Sequence, residues 1–232
     1  MQVVILCGGK GTRLSEFTDS LPKPLVEIGN KPILRHLMEL YAGHGHRDFI
    51  LCLGYKGDRI KEHFKGSTPK DWSIIFADTG EDSNKAERLM RIKNRIKEDT
   101  FLVSYGDDLS DVDMDKLVKF HKKNGKVVTL TAVPLMSPFG IMELNKDNEV
   151  TQFKEKPKLN HWMNGGFYVF SRDIFNYLKS GHDLEKGAFE ALAKEKKIAA
   201  FRHEGFWKSM NTLKDVIELN EMFERGEMPW IR

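Results

Sequence analysis

Two cysteines in 232 residues, Cys7 and Cys52, stand in separate apolar runs with no paired spacing, which argues against a disulfide framework or a tetrahedral zinc site. So sparse a thiol complement fits the reducing cytoplasm, the expected location. No apolar run approaches the ~18 residues that a membrane-crossing helix needs. The first strand pattern begins at Val3, which leaves no room ahead of it for a signal peptide. A membrane role is therefore not expected. The formal charge is only +3, and runs such as Lys194-Glu195-Lys196-Lys197 mix the signs into solvated faces, so a nucleic-acid partner is not expected either. Repeats, linkers and low-complexity segments are lacking. With 40% apolar side chains the chain can build one substantial α/β core, and a single domain over residues 1–232 is expected.

What the chain does have is an apolar run, Val3-Val4-Ile5-Leu6-Cys7, emptying into Gly8-Gly9-Lys10-Gly11-Thr12-Arg13-Leu14, followed by Leu21-Pro22-Lys23-Pro24-Leu25. Glycines let backbone N–H groups approach an anion with no Cβ in the way, and Arg13 and Lys23 add fixed positive charge to such a nest. Two other glycine-rich loops fail on spacing. A dinucleotide fingerprint needs a glycine where Leu14 stands, and a Walker loop needs Gly-Lys-Ser/Thr at its end. The reading is a cradle for a triphosphate, with chemistry at phosphorus.

Short apolar runs then alternate with helical periodicity, which predicts a mainly parallel α/β sheet covered by helices. Lys31 to Ala42 reads as an amphipathic helix, with Pro32 in its first turn and Gly43 able to end it. Strands are expected at Phe49 to Leu53, Trp72 to Ala77, Phe101 to Tyr105 and Val127 to Ala132. Helices are expected at Asp58 to Phe64, Ser83 to Ile96 and Met114 to Asn124. Ligands of open α/β sheets sit at the carboxyl edge, so Gly8 to Arg13, Asp78-Thr79-Gly80 and Gly106-Asp107-Asp108 should converge there. Beyond residue 132 the texture changes. Phe139 to Leu144 and Val150 to Phe153 flank the turn-rich Asn145-Lys146-Asp147-Asn148 and read as a hairpin lid. Trp162 to Phe170 reads as a strand interrupted by Gly165-Gly166, where backbone approaches something closely. Helices at Ser171 to Leu178, Phe189 to Lys196 and Thr212 to Phe223 complete the pattern.

Over essentially its whole length the chain resembles the sugar-nucleotide pyrophosphorylase (nucleotidyltransferase) family, and within it the glucose-1-phosphate cytidylyltransferase branch. Carrying the resemblance are Gly8 to Leu14, Pro22-Lys23-Pro24, Val26 to Leu34, Cys52 to Gly57, Asp78-Thr79-Gly80, Tyr105-Gly106-Asp107, Phe139-Gly140, Glu155-Lys156-Pro157, Asn164 to Phe167 and Gly205 to Thr212. The Asp-Thr-Gly block and the Gly-Phe-Trp ending point to the cytidylyl branch. The resemblance implies a Rossmann-like, mainly parallel sheet flanked by helices with a small β lid. It implies an Mg²⁺-dependent enzyme condensing CTP with a phosphorylated acceptor, most simply glucose 1-phosphate, to give a CDP-activated product and pyrophosphate. It further implies that Leu6, Gly8, Gly9, Gly11, Thr12, Thr79, Arg88, Tyr105 and Gly106 contact the nucleotide, and that Arg13 and Lys23 hold the triphosphate. Gly140, Glu155, Asn164 and Gly165 would contact the acceptor, Lys156 its phosphate, and Asp107 and Asn211 the metal. A homo-oligomer is also implied.

Two departures from the family stand out. Where it carries a second metal-binding aspartate, this chain has Asn211, whose amide oxygen can coordinate but bears no charge; Asp215, one helical turn on, is the nearest spare carboxylate. The crossing from Lys65 to Asp71 is also shorter than in glucose-1-phosphate cytidylyltransferases, so a hexamer is not carried over and the acceptor stays open. A cytidylyltransferase for a non-sugar phosphate or phosphonate, and a nucleotide-sugar-binding regulatory homologue of low activity, remain alternatives. His44 and His46 form an i, i+2 pair with no third ligand near in sequence, and read as a solvated turn. Cys7 reads as a small buried hydrophobe, and Phe206 and Trp207 as core or subunit contacts.

Overall fold

The computed structural model describes residues 1–14, 18 and 20–231. Its centre is a seven-stranded sheet in the order β12-β8-β11-β6-β1-β4-β5. The strands are β1 (Gln2–Leu6), β4 (Asp48–Leu53), β5 (Ser73–Asp78), β6 (Thr100–Tyr105), β8 (Val128–Met136), β11 (Lys158–Ser171) and β12 (Ile198–Arg202). Within it β11 runs against both neighbours, and the other pairings are parallel. Parallel strands need helical crossovers, which cover both sheet faces. Side-chain alternation in β1 shows the result: Val4 and Leu6 enter one core, Val3 and Ile5 the other. The first core packs under α3 (Lys85–Arg91), and the second under α1 (Ile33–Gly43), α2 (Gly57–Phe64) and α4 (Met114–Asn124).

Two short pairs position the site. β2 (Glu27–Ile28) pairs with β3 (Lys31–Pro32), and β7 (Asp108–Ser110) with β13 (Trp207–Ser209). A third core formed by Leu14, Val26, Ile28, Leu109, Met210, Leu219 and Trp230 joins the glycine-rich loop to the C-terminal α6 (Leu213–Glu224). That core clamps residues from both ends of the chain against one edge of the sheet.

Most expected elements are present with shifted ends. The expected long helix from Ser83 is shorter: Asn84 and Glu87 form a capping box that starts α3, and the chain tightens into a 3₁₀ turn at Lys93–Arg95. Ser171 to Leu178 is not an α-helix but a 3₁₀ turn at Arg172–Asn176. A π-helical turn at Leu184–Phe189 precedes α5 (Glu190–Lys194). Strands β2, β3, β7, β12 and β13 had no counterpart in the sequence reading; the two- and three-residue ones are too short to display a period. The expected hairpin forms from β9 (Ile141–Leu144) and β10 (Val150–Lys154), whose residues are exposed throughout.

Candidate active site

β1 ends at Leu6, whose carbonyl accepts from the Gly106 N–H at 3.2 Å, so the loops after β1 and β6 leave the sheet side by side. Two glycines in the first loop have specific reasons. A Cβ on Gly8 would lie 2.3 Å from Arg88 Nη1, and Gly11 adopts φ +65°, where an L side chain is strained. The Gly11 carbonyl accepts from Leu14 N–H at 2.9 Å, opening the 3₁₀ turn Thr12–Leu14 that leaves Arg13 exposed. A second 3₁₀ turn, Lys23–Leu25, carries Lys23.

Lys23 is the electrostatic centre. Its Nζ donates to Asp107 Oδ2 at 2.5 Å and to Asn211 Oδ1 at 3.0 Å, and its side chain is only 11% exposed. Lys23 is therefore a largely buried, paired cation, although it stands on a loop. Asn211 arrives because Met210 N–H donates to the Asp107 carbonyl at 2.9 Å, tying the end of β13 to the loop after β6. Asp215, the spare carboxylate of the sequence reading, is committed elsewhere. Its Oδ2 accepts from the Asn211 and Thr212 N–H groups and caps α6, and it pairs with Lys208. Next to Asp107, Asp108 is buried, opposite Ser209 across the β7–β13 pair. Burial, and then the neighbouring Asp107, push its carboxyl well above the usual carboxylate range.

Two adjoining cavities, of about 260 and 480 Å³, open at this edge and share Leu6, Gly9, Arg13, Asp107 and Asn211. Gly11, Thr12, Lys23 and Gly106 line the smaller, and Gly8, Arg88, Tyr105 and Asn164 the larger. Five expected contact residues line neither. Thr79 is fully buried, donating to the Leu53 carbonyl and accepting from Arg88. Gly165 is buried against Thr131 and Val133, its carbonyl taking the Trp207 Nε1–H at 2.7 Å. Gly140, Glu155 and Lys156 sit at the hairpin, where Glu155 and Lys156 are more than half exposed.

Arg88 lines the larger cavity, but its guanidinium is already committed. Nη1 and Nη2 donate to the carbonyls of Gly8, Leu53, Gly80 and Glu81 and to Thr79 Oγ1, at 2.8–3.1 Å. It braces the cradle from behind. Arg88→Met is expected to destabilise the fold by on the order of 3 kcal/mol, because several buried acceptors lose their donors; an unchanged urea midpoint would refute the bracing role. Arg88→Lys should rescue little, since an ammonium lacks the planar fork.

Sequence reasoning missed Ser209, Trp207, Lys85 and Asp183 as cavity residues, whereas Asp108 lies at the edge where it was expected. Lys85 pairs with Glu185 and lies over the Tyr105 ring, 4.8 Å from its centroid. A hydrogen-bond chain runs one way along this wall: Asn164 Nδ2–H to Tyr168, the Tyr168 hydroxyl to Tyr105, both at 2.7 Å, and the Tyr105 hydroxyl to Glu185. Lys85 and the late acidic residues are far apart along the chain, and nothing in their spacing puts them on one wall.

Two other expectations are settled by geometry. Cys7 is buried beside the smaller cavity and burial pushes its thiol far up, which suits packing and not nucleophilic attack. His44 does have acidic neighbours in space, contrary to the sequence reading: its Nδ1 lies 2.9 Å from Asp115 Oδ2, with Asp113 close by. Its other ring nitrogen is buried without a partner, whereas a metal-bound imidazole needs that N–H held, and Asp113 caps α4.

The site is thus an open α/β sheet with a glycine-rich loop at its carboxyl edge, facing a carboxylate–lysine cluster. HddC from Yersinia pseudotuberculosis, crystallised with GMP-PN, shares this fold with a TM-score of 0.73 at 24% identity, covering 96% of this chain and 99% of that one. Residues 2–226 match the model of the nucleotidyl transferase family. The chain is 40% identical to a probable glucose-1-phosphate cytidylyltransferase of Bacillus subtilis, over 99% of each protein. It is 39% identical to the glucose-1-phosphate cytidylyltransferase of Salmonella typhimurium, over 99% of this chain and 98% of the other. The chain belongs to the nucleotidyl transferase family. Those two alignments run to 252 and 254 positions, longer than the chain's 232 residues, so the chain lacks segments that these relatives carry. Among the described residues, no helix is long and apolar enough to cross a membrane.

Proposed function

We propose that the protein is a cytidylyltransferase that joins CTP to a sugar 1-phosphate such as glucose 1-phosphate, releasing pyrophosphate. The single observation that carries the chemistry is the convergence of Lys23, Asp107 and Asn211 on the floor of a cavity whose other wall is the Gly8–Arg13 nest. The base and the acceptor come from kinship: the Bacillus subtilis and Salmonella typhimurium relatives, matched over nearly their full length, are named as glucose-1-phosphate cytidylyltransferases.

In the proposed reaction a phosphate oxygen of the acceptor forms a bond to the α-phosphorus while the bond to the bridging oxygen of pyrophosphate breaks, and that electron pair leaves with pyrophosphate. The protein's task is alignment and charge compensation. Backbone N–H groups of the nest and the side chains of Arg13 and Lys23 would meet the triphosphate. The acceptor would take the larger cavity, beside Asn164 and Tyr105. A hard divalent cation fits the donor set, since a carboxylate oxygen and an amide oxygen already aim at one cationic point, the Lys23 ammonium. Asp107 and Asn211 would hold Mg²⁺, which supplies positive charge against the phosphates.

One observation favours a second acceptor class. The lysine inside the larger cavity is Lys85, whereas Lys156 stands outside it on the hairpin. An acceptor with an additional anionic group, such as a non-sugar phosphate or phosphonate, would suit Lys85. Incubating the protein with each nucleoside triphosphate, Mg²⁺ and a panel of sugar and non-sugar phosphates, with pyrophosphate as the readout, decides both points. CTP with glucose 1-phosphate is expected to be fastest; equal or faster release with dTTP or GTP rejects the base assignment.

A further inference from the structure

Lys85 stands in the larger cavity and would suit an acceptor with an additional anionic group, yet it does not stand there alone. Its ammonium pairs with Glu185, and the same Glu185 oxygen also takes the Tyr105 hydroxyl proton. Three elements meet at that oxygen. Lys85 opens α3, Tyr105 ends β6, and Glu185 sits in the π-helical turn, where its N–H donates to Asp183 Oδ1 at 3.0 Å. One acid holds two donors of the cavity wall.

The direction of the protons along this wall is fixed from both ends. Gly166 N–H donates to Asn164 Oδ1 at 3.2 Å, which turns Asn164 Nδ2 toward Tyr168. Tyr168 accepts there and gives its own proton to Tyr105. At the far end Glu185, paired with an ammonium, is a carboxylate that can only accept, so the Tyr105 proton goes to it. The cavity therefore meets the Tyr105 hydroxyl as an acceptor, beside the Asp183 carboxylate and a lysine whose charge is already matched. Such a wall suits a ligand that brings hydroxyl protons and disfavours one that brings further negative charge. The other Glu185 oxygen is buried with no hydrogen-bond partner among the described residues, a destabilising state for a carboxylate that packing alone does not explain.

We propose that Glu185 is a positioning residue that sets acceptor specificity: by holding Lys85 and the Tyr105 hydroxyl proton, it reserves the larger cavity for acceptors that carry hydroxyls and no second anionic group. The inference rests on the reading of that cavity as the acceptor's, and it chooses between the two acceptor classes that the reading leaves. Glu185 acts through its neighbours and does not itself line the cavity.

Glucose 1-phosphate and glucuronic acid 1-phosphate share a ring and differ only in a hydroxymethyl group against a carboxylate, so the pair isolates the extra charge. With CTP and Mg²⁺, kcat and KM for pyrophosphate release are measured on both esters for wild type, Glu185→Gln, Lys85→Met and the double variant. Glutamine keeps an oxygen for Tyr105 but frees the Lys85 charge. Wild type should favour glucose 1-phosphate. Glu185→Gln should shift the ratio of kcat/KM values toward the glucuronic acid ester roughly three- to tenfold and through KM, since a freed lysine acts on binding and not on the reacting phosphorus. Adding Lys85→Met should erase that gain. Lys85→Met alone leaves Glu185 unmatched and should widen the preference for glucose 1-phosphate; a narrowed preference overturns the proposal even where Glu185→Gln does not fold, which thermal melts check. A ratio that stays put in folded Glu185→Gln, both esters losing alike, makes Glu185 a mere support of the wall and also overturns it, as does a gain that persists without Lys85 or a wild type that uses the two esters equally. No pyrophosphate from CTP with any acceptor of the wider panel overturns the cytidylyltransferase reading itself, and the specificity role with it.

Discussion

Lys23→Ala and Arg13→Ala are both expected to reduce kcat by ~10²-fold or more, the cost of removing one preorganised charge from a transition state of this kind. Their stabilities should part company. The Lys23 ammonium is 11% exposed and joins Asp107 to Asn211, so its removal leaves the Asp107 carboxylate and the Asn211 amide oxygen without their shared donor. A loss of about 1–3 kcal/mol is expected, in line with hydrogen bonds to charged groups. Arg13 is exposed on its 3₁₀ turn, and its truncation should move stability by no more than ~0.5 kcal/mol. Pyrophosphate release and urea midpoints for the two variants give a direct comparison. A Lys23→Ala protein that turns over at a near-normal rate removes the cluster from the mechanism.

The second large effect concerns the charge of the cation position. Asp107→Asn takes away the carboxylate at the centre of the cluster and should nearly abolish turnover. Asn211→Asp should act in the opposite sense and lower the half-saturating Mg²⁺ concentration. At an effective dielectric near 20, a unit charge pair about 4 Å apart is worth roughly 4 kcal/mol before desolvation, so a net gain should survive. With aspartate at both 107 and 211, two carboxylates share the Lys23 ammonium when no divalent cation is present, so Asn211→Asp should melt earlier than wild type in chelator and recover as Mg²⁺ is added. Magnesium titrations of turnover and of melting temperature read both effects. Unchanged half-saturation in Asn211→Asp places residue 211 away from the metal. A wild type with no turnover on any acceptor, together with an Asn211→Asp variant that gains it, would favour a regulatory protein that has lost its charge.

Much of this was legible in the chain. The nest at Gly8 to Arg13 is contiguous, and a contiguous glycine-rich turn after a buried strand carries its own geometry. Helix α4 has the expected ends, Met114 and Asn124, because Asp113 caps it and Gly125 closes it in the left-handed region, both local signals. Three loops at the carboxyl edge followed from the alternation of strands and helices alone. Thr79 and Arg88 show the limit. Both lie near the cradle, but the buried guanidinium turns toward backbone carbonyls, and Thr79 serves as one of its acceptors. Whether a side chain beside a site meets the ligand or the scaffold depends on what lies behind it, and sequence does not display that.

By itself, then, the sequence determined the sheet-and-helix alternation, the anion nest and the family, because each rests on short-range periodicity or on residues adjacent along the chain. Tertiary structure alone decided that Lys23 meets Asp107 across 84 positions and Asn211 across 188, that Ser209 stands opposite Asp108, and that Asp215 is spent on a helix cap. The physical reason is that such convergence is produced by long-range packing. The small core around Leu14, Leu109, Met210 and Trp230 pulls both ends of the chain to one edge of the sheet, and two three-residue strands, too short to announce themselves, set which side chains face each other there.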